Sequence, residues 1–425
     1  MQNGALSAVE YYGILYDNLV PMFPGSCLQT TPISFNSKEI VLREEKRDNS
    51  LLIWPDSKWP SCFRLLRTTH PFEDDDVNLA TKFTRALREK LVASGQPFFR
   101  YLIDRCSQDA VAWSAQNRAM GDDLLPTILS MLKKWASETY EGQRIAVAIG
   151  VDPSPYPSRI SNLHLVEIVE QNFAKVLSNG LDTVLVLSPS GHVVEHLALR
   201  EVAPDSLRTF DECLAPRRYL ALANWARGGR VAVTLNRHGE ILVFTKSRLR
   251  FAYRRGKWSH FAHSAMIARM GGSKRDKSLM RAVYASCLDV SFSRTGGCIA
   301  VAKGKYGRKY LEYLNSGDLL SEGRTKKAVL LDHLTGCLFD AIPRPIREEM
   351  AALDGAIVLN HKGKVLAGGA IVRVPGGSDG GGREAAAKAL SRLGLAVKVS
   401  SDGGITAFTD RGTKKKPEIA FELCV

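Results

Sequence analysis

The run Pro375-Gly376-Gly377-Ser378-Asp379-Gly380-Gly381-Gly382-Arg383 opens directly onto a helical pattern from Glu384 to Leu393, and no other feature narrows the possible folds as much. Bare backbone at a helix N-terminus brings free N–H groups and the positive end of the helix dipole to one point, which makes an anion site. Arg383 adds a forked donor matched to phosphate oxygens. A flexible connector has the same composition, so the neighbours decide between the two readings. Upstream, Leu353-Asp354-Gly355-Ala356-Ile357-Val358-Leu359 sets a carboxylate at the mouth of an apolar strand. That carboxylate can hold a metal or accept a hydroxyl proton, and the glycine beside it lets a ligand approach the backbone. Earlier still, Arg294-Thr295-Gly296-Gly297 feeds a buried strand, Cys298 to Val301. Downstream, Ala396 to Ser400 reads as a strand and Ser401-Asp402-Gly403-Gly404 as its turn. A strand, an anion loop, a helix and a further strand in this order make a compact α/β nucleotide pocket. Glycine usage agrees, because 13 of the 35 glycines fall within 351–425, where an even spread would put about six.

The rest of the chain supports an α/β reading but no chemistry. Residues 1–140 read as a mixed, largely helical region, with helical periodicity at Asn78–Ala93 and Leu124–Trp135. Residues 141–275 read as a sensor-like α/β domain: a strand at 145–149, an amphipathic helix from His164 to Leu177, and a strand at 183–187. Between 230 and 258, Val231, Val233 and Leu235 alternate into Arg237-His238-Gly239, and Ile241, Val243 and Thr245 alternate back out, which specifies a hairpin. Continued in register, that strand puts Lys246, Arg248 and Arg250 on one face ahead of a basic turn, Arg254-Arg255-Gly256-Lys257. Such a stripe is either a solvated sheet face or the seat of an anionic ligand. The polar segment 271–277 marks a boundary, leaving 280–425 as the last domain.

With 425 residues and a formal charge of +14, the chain has room for several domains and calls for an anionic partner. Much of the excess is local, since 246–277 holds ten Lys or Arg against Asp276 alone. The eight cysteines form no CxxC pair, so reduced thiols in a cytoplasmic protein are expected. No signal-peptide pattern and no membrane-length apolar run is present, and Gly-x-Ser-x-Gly is absent. His192 and His196 would lie about 13 Å apart along a strand, too far to chelate together.

Thr295-Gly296-Gly297, the Asp354-Gly355-Ala356 strand, the glycine loop with its Ala385-to-Ser391 helix, and Val399-Ser400-Ser401-Asp402-Gly403 resemble, in this order, the diadenylate cyclase domain of the DNA integrity scanning protein family. The resemblance covers roughly 280–425. It implies an α/β fold with a central mixed sheet, ATP as substrate and a divalent metal, Mg²⁺ or Mn²⁺. It further implies a homo-oligomer whose cyclase domains face each other, joining two ATP molecules into cyclic di-AMP with release of pyrophosphate. The upstream region is similar to the probable sensor modules that precede such cyclases in some bacterial proteins. On this resemblance Asp354 would bind metal and help deprotonate the ribose 3′-hydroxyl, and Gly355 and Ala356 would shape the adenosine site. Gly381, Gly382 and Arg383 would cradle phosphates. Thr295, Gly296, Ser400, Ser401 and Asp402 would lie near the nucleotide. Most family cyclases begin this helix with Arg-His-Arg, whereas here the window reads Gly382-Arg383-Glu384 or Arg383-Glu384-Ala385. Glu384 is then either a replacement metal ligand or a first-turn residue favoured by the dipole. His361 follows Asp354 by seven residues, about 23 Å along a strand, and is a poor substitute. Three functions stay open: a sensor-regulated cyclase, a nucleotide-binding sensor without turnover, and a nucleic-acid-binding regulator using the basic hairpin.

Overall fold

The structure, a computed structural model, describes residues 6–34, 39–44, 48–56, 59, 61–93, 99–154, 160–199, 213–271, 277–306, 308–320, 329, 334, 336–374, 381–409 and 417–423. The glycine run at 375–380, the connector at 272–276 and the lysines at 414–416 lie outside these residues. The chain is mixed α/β and divides into two compact units, Met1–Ala262 and His263–Val425. Among the described residues, no helix is long and apolar enough to cross a membrane.

The Met1–Ala262 unit is built on a seven-stranded sheet whose order is 193–198, 183–187, 147–151, 231–235, 241–245, 248–254, 257–260. The 147–151 and 183–187 strands are parallel, and every other neighbouring pair is antiparallel. Strands 147–151, 231–235 and 241–245 are buried along their whole length, which is why they read as apolar runs rather than clean alternations. Helix Leu124–Trp135 buries Leu125, Ile128, Leu129, Leu132 and Trp135 at three- and four-residue steps, each contributing about 1.5–3 kcal/mol of transfer free energy. A smaller sheet, 26–28, 61–67, 50–53 and 41–43 with 33–34 beside 61–67, packs on the same core, which runs from Tyr11 to Trp258. Residues 1–140 and 141–262 thus share one core.

Two expectations for this unit need correction. The periodic stretch from His164 to Leu177 is a five-residue helix, Leu165–Val169, followed by a 3₁₀ turn, Asn172–Val176, with Gln171 extended between them. Phe173 and Val176 are exposed rather than core-facing. Four β-branched residues in the stretch, Val166, Ile168, Val169 and Val176, lower the helix propensity that a continuous helix would need. The basic stripe at 246–257 also fails as a face. Lys246 and Ser247 have φ of +53° and +58°, so the chain reverses there and a new strand, Arg248–Arg254, begins. Arg254 is buried against Glu240 at 2.7 Å, and buried Arg250 donates to the Ser114 carbonyl at 2.7 Å.

The His263–Val425 unit has a six-stranded sheet in the order 365–370, 356–359, 297–302, 394–399, 405–409, 418–423. Strands 297–302 and 356–359 are parallel, joined through helix Arg344–Ala352, and the other pairs are antiparallel. Helix Gly382–Ser391 sets Ala387 and Leu390 into the sheet core with Ala300 and Ala396. Helix Lys277–Ser293 is buried on nearly all sides. Its Asp289 carboxylate, fully buried, accepts two hydrogen bonds from Arg344, at 2.8 and 2.7 Å. This pair ties the helix that precedes Asp354 to the core.

Candidate functional site

Register alone brings the sequence candidates of the His263–Val425 unit to one end of the sheet. Cys298 pairs with Ala356 in the parallel ladder, Gly297 pairs with Val399, and Ala356 pairs with Ala370. Residues 294–296, 354–355, 371–372 and 400–402 therefore emerge together. The N-terminus of helix Gly382–Ser391 lies at the same end, because the helix leads back to Gly394, which pairs with Ala302 at the far end of its neighbour. Asp354, Gly355, Gly382 and Arg383 line a common cleft of about 400 Å³ with Cys298 and Ile371.

Arg383 organises the cleft. Its Nη2 donates to the Thr295 carbonyl at 3.4 Å. Gly296, at φ +72°, leaves room for the guanidinium, since a Cβ there would stand 2.6 Å from Arg383 Nη1 and 3.2 Å from the Ser401 amide nitrogen. Thr295, Gly296, Arg383 and Ser401 thus form one contact group beside the exposed Asp354. Gly355 lines the cleft and also answers a backbone constraint. At φ +109° it lets the Gly369 carbonyl carbon come within 2.4 Å of where a Cβ would sit, so backbone packing against the neighbouring strand requires it.

Other candidates lie elsewhere or are already engaged. Ala356 is buried in the sheet core rather than lining the cleft. Gly381, at φ +77°, caps the helix, and its carbonyl accepts from the Ala385 amide at 3.1 Å. Ser400 donates to the Asp402 carboxylate, and the Ser400 amide donates to the Gly404 carbonyl at 2.8 Å, closing the turn after strand 394–399. Arg294 donates to the Asp402 carbonyl. Glu384 is bridged by Lys388 at 2.5 Å and Lys398 at 2.9 Å. The hydrogen bonds from those two lysines hold its carboxyl below the ordinary range. A metal at Glu384 would compete with both lysines, one on each carboxylate oxygen. His361 sits in the turn at the opposite end of strand 356–359, against Gly304.

Among the described residues, no three His, Cys, Asp or Glu side chains gather as a metal cage. The cleft supplies one carboxylate, Asp354. That donor set fits a hard divalent ion held jointly by one carboxylate and a ligand's phosphates, and it does not fit an all-protein site. Cys298 forms part of the wall and escaped the sequence reading as a site residue. Burial pushes its thiol up to about 12, with Arg383 opposing the shift, so it is a neutral wall rather than a nucleophile. Ile371 and Val372 were also missed, because their nearness to Asp354 depends on the pairing of 365–370 with 356–359.

No protein-family model and no curated protein matches the chain. Among solved structures, DacA from Staphylococcus aureus, crystallised as a double mutant, is similar at 22% identity and a TM-score of 0.21, covering 35% of this chain and 89% of that one. A hypothetical membrane-spanning protein from Bacillus cereus is similar at 14% identity and a TM-score of 0.24, covering 35% of this chain and 74% of that one. Likeness at this level assigns no function.

Proposed function

We propose that the His263–Val425 unit binds ATP and acts as a diadenylate cyclase, under the control of the Met1–Ala262 unit. The observation that carries this reading is the convergence of Asp354 and Arg383, 29 positions apart in sequence, on one cleft at the sheet end where the helix N-terminus opens. Arg383 takes phosphate oxygens in a forked grip, and the helix N-terminus adds to the anion's stabilisation. Asp354 accepts the proton of a ribose 3′-hydroxyl. The freed oxygen forms a bond to the α-phosphorus of a second ATP, the bond from that phosphorus to the β-phosphate oxygen breaks, and pyrophosphate leaves. A second such transfer closes the ring to cyclic di-AMP. A bound Mg²⁺ or Mn²⁺, held by Asp354 and the nucleotide phosphates, would supply charge neutralisation of the triphosphate. One cleft holds one ATP, so turnover requires two protomers face to face, and bringing them together is the step a control unit can govern.

The engagement of Glu384 by two lysines favours a second reading, in which the cleft binds nucleotide without turning it over. Equilibrium ATP binding measured on the wild type, Asp354→Asn and Arg383→Ala separates the possibilities. The cyclase reading expects Arg383→Ala to weaken ATP binding, while Asp354→Asn keeps binding in the absence of metal and loses turnover. ATP binding that is indifferent to Arg383 would place the nucleotide elsewhere.

A further inference from the structure

The Met1–Ala262 unit contains a separate cleft of about 630 Å³ that the cyclase reading leaves unused. Its cations come from distant parts of the sequence: Lys82 on helix Asp74–Ala93, Arg118 after helix Phe99–Ala115, Arg230 ahead of strand 231–235, and Lys246 and Arg250 at the 246–254 reversal. One carboxylate, Asp75, faces these five positive side chains, and it is paired with Arg250 at 3.1 Å. Arg230 reaches Asp152 at 2.8 Å. Lys82, Arg118 and Lys246 form no ion pair among the described residues. Burial, and after it repulsion from Arg85 and Arg250, holds the Lys82 ammonium below its ordinary range. With two of the five cations paired and three without an ion pair, the cleft keeps a positive excess that an anion would relieve.

A second observation is independent of charge. Four buried polar atoms on lining residues, Ser114 Oγ, Gln116 Oε1, Thr245 Oγ1 and Arg250 Nε, have no hydrogen-bond partner among the described residues. Ser114, Thr245 and Arg250 are only 7%, 5% and 8% exposed. Buried polar groups are rarely left unmet, so the wall behind these cations is short of hydrogen-bond partners. The volume lies within the range of small-molecule sites, far larger than a lone phosphate, and Trp113 adds an aromatic wall.

We propose that this cleft binds a phosphorylated small molecule of mononucleotide size. Its phosphate is held by Arg250, Lys246 and Arg118. This makes the Met1–Ala262 unit a metabolite receiver, and it does not depend on the reading of the other cleft.

The test is calorimetric titration of the full-length chain, in an Asp354→Asn/Arg383→Ala background that disables the other cleft, with AMP, ribose 5-phosphate, inorganic phosphate and adenosine. The expected result is saturable binding of AMP or ribose 5-phosphate, tighter than inorganic phosphate and absent for adenosine, with quenching of tryptophan fluorescence. Arg118→Glu/Lys246→Glu, both at exposed positions that should spare the fold, should weaken it by about tenfold or more. Lys246→Gln, at an exposed position, should weaken it without altering the far-ultraviolet circular dichroism. The proposal is overturned if none of the phosphorylated probes binds at millimolar concentration, if inorganic phosphate binds as tightly as they do, or if binding is unchanged in both variants.

Discussion

Replacing Asp76 with Asn should cost more stability than any other single carboxylate-to-amide change in the Met1–Ala262 unit. Asp76 is fully buried and accepts from Arg67 at 3.0 and 3.4 Å, from the Glu73 amide at 2.9 Å and from His260 Nδ1 at 2.9 Å. These contacts lock helix Asp74–Ala93 to strands 61–67 and 257–260. Asparagine keeps the shape but leaves the Arg67 guanidinium, 2% exposed, without a counter-charge. Breaking a buried pair from one side typically costs about 3–5 kcal/mol. With a urea slope of about 3 kcal/mol/M for a unit of this size, the unfolding midpoint should fall by about 1–2 M. Tryptophan fluorescence is the appropriate probe, because all six tryptophans lie within Met1–Ala262.

The acid response gives a second signature of the same contacts. Burial opposes ionisation of Asp76, but the His260 hydrogen bond and the Arg67 charge outweigh it and hold the carboxyl well below its ordinary range. A depressed folded pKa means that the stabilisation is present above the unfolded value, near 4, and is lost as pH falls toward the folded one. Wild-type midpoints should therefore drop between about pH 5 and 3, and the Asn variant should drop less. Asp74→Asn, whose pair with Arg43 is solvent-exposed, is the control and should leave the midpoint in place. A shift below about 0.3 M for Asp76→Asn, or equal acid sensitivity in the two proteins, would refute the reasoning.

Other expectations follow from the same kind of contact. Gly355→Ala adds a Cβ 2.4 Å from Gly369 backbone at φ +109°, so it should destabilise by more than the about 1–3 kcal/mol of backbone strain alone, read by thermal melting followed by circular dichroism. Glu384→Gln should change ATP turnover by less than about threefold if Glu384 is a partner of Lys388 and Lys398; a collapse of activity rescued by raised Mn²⁺ would instead make it a metal ligand. Cys298 should resist alkylation by a small maleimide in the folded protein at neutral pH, since its thiol is buried and pushed up to about 12; rapid labelling would contradict that environment.

The sequence foretells the cleft of the His263–Val425 unit better than the rest of the molecule, for a physical reason. Asp354 before an apolar strand and glycines before Arg383 are both local patterns, and the antiparallel return 365–370 between them brings the two junctions to one sheet end. What stayed hidden depends on lateral pairing: Ile371 and Val372 join the cleft only because 365–370 adds to the far side of 356–359. Gly355 shows the limit of reasoning from residue type, because its missing side chain also admits a neighbouring strand, which its place beside Asp354 does not announce. In the Met1–Ala262 unit, period-two alternation at 248–254 cannot distinguish water from a covering layer. Arg250 meets the Ser114 carbonyl and Arg254 meets Glu240 instead of solvent. The cationic cleft there draws on residues from Asp75 to Arg250, a span over which no local pattern operates. The short strands at 26–28, 33–34 and 41–43 are two or three residues long and leave almost no periodicity to read.

Incubation of the full-length protein with ATP and Mn²⁺, followed by mass spectrometry of the products, tests the central claim most directly. The account predicts cyclic di-AMP and two pyrophosphates per cyclic product, with the rate lowered at least about 100-fold in Asp354→Asn. Saturable ATP binding with no pyrophosphate released, or turnover undiminished in Asp354→Asn, would contradict it.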